Sequence, residues 1–589
     1  MLQYTLSISE PHSHLFDVEL NIPDPDPSGQ ILVLPVWIPG SYLIREFARH
    51  VVSIAAFAGD EPVVLAKLDK HRWQVAPLPD SLPLRVVYRV YAFDLSVRGA
   101  YLDQFRGFFN GTSVFLAVEG QESIPCQLDI VLPAVLAHWR VATGLPRLAA
   151  DGSRFLADNY DALIDHPVEL GDFRRLQFLA AGVPHHFVLA GRHRVDESRL
   201  IEDARKICEY QIAFWGEPAP FADYHFLTMA TGDGYGGLEH RNSTALLCSR
   251  DDLPLAHETA RKAGYRQFLG LVSHEYFHTW LVKRIKPAEF VPYRLDRENY
   301  TRQLWLFEGV TSYYDDLVLV RTGLLSVQEY LNQLAQTITA VRRNPGSRVQ
   351  TLEEASLDAW VKYYRQDENS PNALASYYAK GALVALCTDL LIRKHSQGRQ
   401  SLDDVMRALW RLYGKPGLGV PDGEFERLAT ELASANLSGF FDLALRSGAE
   451  LPLQELLESE GVEWQQRPAA SAKDKGGWLD LPVPGSRGMG ARYEAAPEGV
   501  RITHVLSASP AERAGLAAGD VLVAAAGLRV TPDKLDAMLA ANQGEALHLH
   551  AFRRDELIES HLEPCFMPAN HVGLRLKPSI SAPDFMTGG

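Results

Sequence analysis

The sequence predicts a multidomain α+β protein, and three observations lead there. The chain has 589 residues, more than one hydrophobic core can serve. Its hydrophobic pattern changes from period two to helical spacing between about residues 170 and 195. A short, apolar-poor stretch, "RPAASAKDKGG", then separates a compact tail with its own strand pattern. The expected parts are an N-terminal β-rich domain over 1–170, a mixed domain over 171–395, a helical segment over 396–466 and a C-terminal domain over 478–568.

The β-rich part rests on "YTLSISE", "LFDVELNI", "QILVLPVWIPGSY", "LRVVYRVYAF" and "CQLDIVLP", short alternating runs bounded by Pro, Gly and Asp turns. "ESRLIEDARKICEYQIAFWG" is an amphipathic helix ending at a glycine, and "HFLTMAT" reads as a strand. "GLVSHEYFHTWLVKRIKP", "LWLFEGVTSYYDDLVLVRTG" and "ALASYYAKGALVALCTDLLIRK" read as helices, followed by "LDDVMRALWRLYG" and "GEFERLATELASA".

Composition narrows the function. With 58 Lys+Arg against 73 Asp+Glu the formal charge is −15, which argues against nucleic acid or an anionic membrane as partner. Five cysteines without close spacing read as reduced, buried thiols. No signal-peptide pattern opens the sequence and no apolar run reaches transmembrane length, so the cytoplasm is the expected compartment.

The chemistry centres on "HEYFH". On a helix, residues four apart share a face, so His274 and His278 can point at one metal ion. Glu275 is displaced around the helix, near such an ion without ligating it. H-E-x-x-H is the zinc metallopeptidase pattern, with the Glu as general base. By chance a chain of this composition would contain on the order of a few hundredths of such a motif. The bland reading, two ordinary helix histidines, would leave imidazoles and a carboxylate buried among Leu271, Val272, Phe277 and Trp280 in need of partners. Zinc keeps one position for water, so one more protein ligand is required. Glu308 follows His278 after a gap of 29 residues. It could cap or solvate its helix, but Trp305, Leu306, Phe307 and Val310 beside it argue against a solvated carboxylate.

Together "HEYFHTWLVKRIKP", "ENYTRQLWLFEGVTSYYDD", "DGYGGLEHRNS", "ASYYAKGALVALCTDL" and "LPVWIPGSYLIREFARHV" resemble the glycyl aminopeptidase family of gluzincin metallopeptidases over nearly the whole chain. The resemblance implies a thermolysin-like catalytic domain and one Zn2+ per chain, with His274, His278 and Glu308 as ligands and Glu275 as base. It implies that Glu239, after Gly236 and Gly237, holds the free α-ammonium of the substrate. Related aminopeptidases usually carry Asn after this Glu; here it is His240, a departure that fits the glycyl branch. Tyr378 aligns with the tyrosine that donates to the tetrahedral oxyanion, with Tyr377 adjacent. Peptides with a free N-terminus are the implied substrates, with a preference for glycine and alanine.

Two segments stay open. "WIPGSYLIREFARH" is either a turn between strands or a loop bordering the catalytic cleft. The tail, with "RGMGARYE" and "VLSASPAERAGLAAGDVLVAAAG", looks like a PDZ domain. Its loop Gly488-Met489-Gly490-Ala491 either receives a peptide C-terminus or belongs to a packing module. The functional expectation is a zinc-dependent aminopeptidase. The alternatives are a zinc endopeptidase that captures C-termini through the tail, and a non-catalytic peptide-binding scaffold.

Overall fold

A computed structural model describes residues 1–78, 82–148, 153–258, 260–471, 473–578 and 580–588. It divides into two compact units, Met1–Tyr300 with Arg407–Pro421, and Thr301–Met406 with Asp422–Gly589.

The first unit opens with the expected β-rich part. Alternation works as it should: Leu15–Ile22 buries Phe16, Val18, Leu20 and Ile22, while Asp17 and Glu19 pair with Arg89 and Arg85 across the sheet. In the seven-stranded sheet the strands run Arg154–Ala157, Cys126–Val131, Leu2–Ser7, Leu15–Ile22, Leu84–Tyr91, Val51–Ala58 and Glu61–Val63. Two four-stranded sheets share its core. The expected strand over 30–42 is much shorter, Ile31–Val33. Pro35 and Pro39 lack N–H donors, and the chain instead turns through an Ile38–Ser41 bridge with Gly40 at φ 92.

A five-stranded sheet follows, ordered Arg174–Ala180, Val183–Ala190, Tyr224–Thr231, Ser243–Ser249 and Tyr235–Glu239. Its middle three strands are parallel and largely buried, as a sheet covered on both faces requires. Tyr235–Glu239 is an edge strand, antiparallel to its neighbour. The helix Glu197–Trp215 is capped by Asp196, which accepts the Arg199 N–H, and stops at Gly216. Against it lies Ala263–Phe277, joined by the Tyr265 hydroxyl donating to Asp203 (3.0 Å) and the Gln211 amide donating to the Ser273 carbonyl (2.9 Å). The expected helix over 270–287 therefore ends early, with His278 as its C-cap.

The second unit is helical, then β. Trp305–Gly309 forms one π-helical turn that runs into Val310–Arg321, an irregularity the sequence pattern does not announce. Residues 374–378 are not helical as expected; the helix is Ala379–Ser396, and Ser376 Oγ accepts the Ala379 N–H at 3.1 Å. The helix Val327–Arg343 carries a Ser326/Glu329 capping box. The C-terminal domain has its own core, including Val500, Ile502, Leu522, Leu535, Leu549 and Leu562. Its sheet runs Ala491–Ala496, Gly499–Val505, Val521–Ala525, Leu547–Arg553 and Glu556–Leu562, with Leu528–Arg529 paired to the third of these.

The expected linker over 467–477 is tied down rather than loose; Ala472 within it lies outside the described residues. Asp474 pairs with Arg467 and accepts the Ala470 and Gly476 N–H groups. Partial burial would raise its carboxyl pKa, but these donors hold it well below the usual range. All five cysteines are unpaired, four of them buried and Cys565 half-buried. Among the described residues no helix is long and apolar enough to cross a membrane.

Candidate metal centre and active site

The helix Ala263–Phe277 carries His274 and Glu275, and His278 follows at its C-cap with helical φ and ψ, so the four-residue spacing survives the helix end. The Nε2 atoms of His274 and His278 lie 3.0 Å apart. Two imidazole nitrogens bound to one zinc at near-tetrahedral angles stand about 3.3 Å apart. The imidazole pair therefore fits zinc with little adjustment. His278 Nδ1 donates to the Leu281 carbonyl at 2.8 Å, which fixes the ring and leaves Nε2 as the metal-facing nitrogen.

Aromatic packing holds this helix end. Tyr276 meets Tyr224 and Trp280, its hydroxyl lies 2.9 Å from His185 Nε2, and Trp215 stacks on Trp280. Beyond it, Arg284 donates to the carbonyls of Thr279, Arg241 and Pro220.

The edge strand Tyr235–Glu239 runs beside Glu275, which is 5% exposed. Gly237 makes the approach feasible, because a Cβ there would stand 2.1 Å from Glu275 Oε1. Two residues further, Glu239 is 3% exposed, and its Oε1 has no hydrogen-bond partner among the described residues. Gly40, from the PGSY segment, packs on the same carboxylate; a Cβ there would lie 2.4 Å from Glu239 Oε2. That segment is thus more than a turn between strands. Tyr293 belongs to this corner too. Burial, then the Glu239 carboxylate, raises its phenol pKa. Nothing in the sequence pattern singled it out.

His240 is engaged elsewhere. Its Nδ1 lies 3.3 Å from Asp165 Oδ1, which also accepts from Lys283 Nζ at 2.6 Å, while the Arg241 N–H donates to Asp165 Oδ2. Burial would raise the Asp165 pKa, but Lys283 and Arg241 hold it well below the carboxylate range. Lys283 N donates to the His278 carbonyl, so one chain of contacts links the end of the histidine helix to the residue beside Glu239. Lys286 follows, its ammonium 4.4 Å from the Tyr293 ring centre; burial lowers its pKa to about 7.

In the second unit Glu308 sits on the π-helical turn, 2% exposed. Gly309 touches Gly381 there: a Cβ on Gly309 would lie 2.6 Å from Gly381 Cα. This backbone-to-backbone contact brings the start of the helix Ala379–Ser396 against Glu308. Burial, then Glu308, raises the Tyr378 pKa well above its ordinary value. Tyr377 is fully buried behind it. Tyr363, which the sequence reading missed, has its ring 4.6 Å from Tyr377 and 5.5 Å from Tyr378, and also feels Glu308. His274 and His278 belong to the first unit and Glu308 to the second; two imidazoles and one carboxylate are the donor types of a catalytic zinc site.

Comparison with known proteins agrees with this chemistry. Residues 3–172 match the Peptidase M61 N-terminal domain, residues 267–384 the M61 glycyl aminopeptidase model, and residues 501–550 a PDZ domain. Comparison with the curated proteins gives no match. Among solved structures, an aminopeptidase N family protein from Idiomarina loihiensis is 43% identical, with 100% of this chain and 99% of that one covered at a TM-score of 0.95. An M1 zinc metallopeptidase from Deinococcus radiodurans aligns more loosely, at 14% identity and TM-score 0.46 over 77% of this chain and 94% of that one. The match along the whole length of the Idiomarina protein, together with the two M61 models, makes this chain a member of the M61 glycyl aminopeptidase family of zinc metallopeptidases.

Proposed function

We propose that the chain removes N-terminal residues, glycine foremost and alanine next, from peptides, with one zinc at this centre held by His274, His278 and Glu308. The observation that carries the reading is the edge strand. It passes Glu275 at Gly237 and ends at Glu239, whose buried Oε1 has no hydrogen-bond partner among the described residues. A substrate ammonium would satisfy that oxygen with a charge-assisted hydrogen bond.

Zinc, when bound, acts as a Lewis acid and brings the pKa of a bound water to about 7. Glu275 takes the proton from the attacking water and returns it to the leaving amine. The Tyr378 hydroxyl donates to the oxyanion; its raised pKa keeps the proton available near neutral pH. Glu239, with Gly236 and Gly237 leading to it, fixes the N-terminus. A small first residue suits the corner closed by Gly40 and Tyr293.

The PDZ domain is proposed to receive a peptide C-terminus at Gly488-Met489-Gly490-Ala491. In support, Ala491–Ala496 is an edge strand, Gly490 adopts φ 69, and the Met489 side chain is in the core, which leaves main-chain groups to form the loop. We further propose the domain limits 1–170, 171–395, 396–466 and 478–568, and a reducing compartment, in keeping with the unpaired thiols.

The test compares kcat/KM for a glycyl peptide and its N-acetyl form. Leaving Glu239 unsatisfied costs about 1–3 kcal/mol, roughly tenfold to a hundredfold in kcat/KM. Wild type should favour the free amine by that factor, and Glu239→Ala should lose most of the preference through the free-amine substrate. An unchanged ratio in the variant removes Glu239 from the role. A wild-type ratio near one favours an endopeptidase.

A further inference from the structure

The PDZ domain ends in a hairpin, Leu547–Arg553 and Glu556–Leu562, whose two faces differ sharply. Leu549, Ala551 and Leu562 point into the core. By alternation His548 and His550 point outward on one strand, and Glu559 and His561 on the other. The register pairs His548 with His561 and His550 with Glu559. Four metal-ligating side chains thus occupy the corners of one small square on the sheet.

The distances are short. The His548 ring centre is 4.5 Å from that of His550 and 4.9 Å from that of His561. His548 Nε2 lies 3.0 Å and His550 Nε2 3.8 Å from the two Glu559 oxygens. One ligand atom each from His548, His550 and Glu559 falls within 4.8 Å of the others. His550 Nδ1 is buried with no hydrogen-bond partner among the described residues. Three imidazoles gathered on a solvent-facing sheet bring no core packing and repel one another when protonated. β-Branched or aromatic residues would serve the sheet better.

We propose that this face is a second metal site, binding zinc or a similar borderline divalent cation through His548, His550, His561 and Glu559. Imidazole with one carboxylate, and no thiolate, is a donor set for Zn2+, Cu2+ and Ni2+ rather than for Mg2+ or Ca2+. Glu556–Leu562 is the outermost strand of the sheet, so the site is open at its edge and accepts its ion directly from solvent. Another candidate group, His186, Asp223 and His225, is less suited to a cation, because burial first, and then the Arg175 charge, disfavour positive charge on both rings.

The test is zinc stoichiometry of the full-length protein by equilibrium dialysis and elemental analysis, with zinc as the only probe. Wild type should bind a second, weaker equivalent beyond that of the catalytic centre. His548→Ala/His561→Ala should lose only the weaker equivalent, and His274→Ala/His278→Ala should keep it. His561→Gln alone, on the exposed strand, should weaken it at least tenfold while leaving the thermal midpoint unchanged. Saturation of wild type at one equivalent, or an unaltered second equivalent in both hairpin variants, overturns the proposal.

Discussion

Gly237→Ala isolates what the edge strand does for catalysis. A Cβ at this position would stand 2.1, 2.3 and 2.5 Å from Oε1, Cδ and Cγ of Glu275. Ordinary contact begins near 3.4 Å, so the carboxylate must retreat by more than about 1 Å. The backbone raises no objection, because Gly237 is not among the positive-φ residues. Glu275 is flexible at its far end, so folding should suffer little. A proton acceptor misplaced by about 1 Å, however, costs roughly a hundredfold in rate, equivalent to about 2.7 kcal/mol. The assay is kcat on a glycyl anilide, with zinc content and thermal midpoint measured on the same preparations. Gly236→Ala is the control, since the nearest atom to its new methyl would be Arg98 Nη1 at 3.8 Å. Gly237→Ala should lose about two orders of magnitude in kcat at unchanged zinc content, and Gly236→Ala less than a few-fold. A Gly237→Ala enzyme within twofold of wild type would refute the placement of Glu275 as base against this strand.

Three further outcomes are expected. Glu275→Gln keeps size and zinc but cannot accept the proton, so kcat should fall at least about a hundredfold, and a comparable kcat would rule out the base role. A chelator should abolish activity and zinc restore it, and Glu308→Ala should lose both tight zinc and turnover; wild-type zinc affinity in that variant would remove Glu308 from the ligand set. Lys286, lowered by burial to about 7, gives a pH signature. Between about pH 7 and its ordinary value near 10.4 the unfolded chain binds a proton that the folded chain does not, so stability rises with pH, by at most about 1.4 kcal/mol per pH unit from this group. Urea midpoints of wild type minus Lys286→Met should climb across that window, and a flat difference would mean that the amine is ordinarily solvated.

What the sequence made legible was local and periodic. The α+β division followed from the change of period, and the four-residue spacing put two imidazoles on one face because a helix leaves no other arrangement. Features that depend on distant chain segments were out of reach. Gly40 is some two hundred positions from Glu239, and no pattern pairs them. Tyr293 and Tyr363 look like any other aromatic residue until the fold places their neighbours. Helix ends failed for a different reason. The apolar spacing continues through residues 374–378, but Ser376 accepts the Ala379 N–H and starts the helix there. Every residue of the π-helical turn Trp305–Gly309 is buried, so there is no polar face whose phase could separate it from a regular helix.

The contact between Gly309 and Gly381 bears on how such an enzyme can diverge. Where two helices meet through side chains, each generation of substitutions resets their spacing by a fraction of an ångström. Here main chain rests on main chain, and no rotamer intervenes. The interval between Glu308 and Tyr378 is therefore insulated from drift in the surrounding core: the bundle can exchange Leu for Ile or Met around it without changing that interval. The insulation has a corresponding brittleness. Neither glycine can take even one methyl group without driving the two backbones apart, so this pair should resist the variation that the surrounding core tolerates.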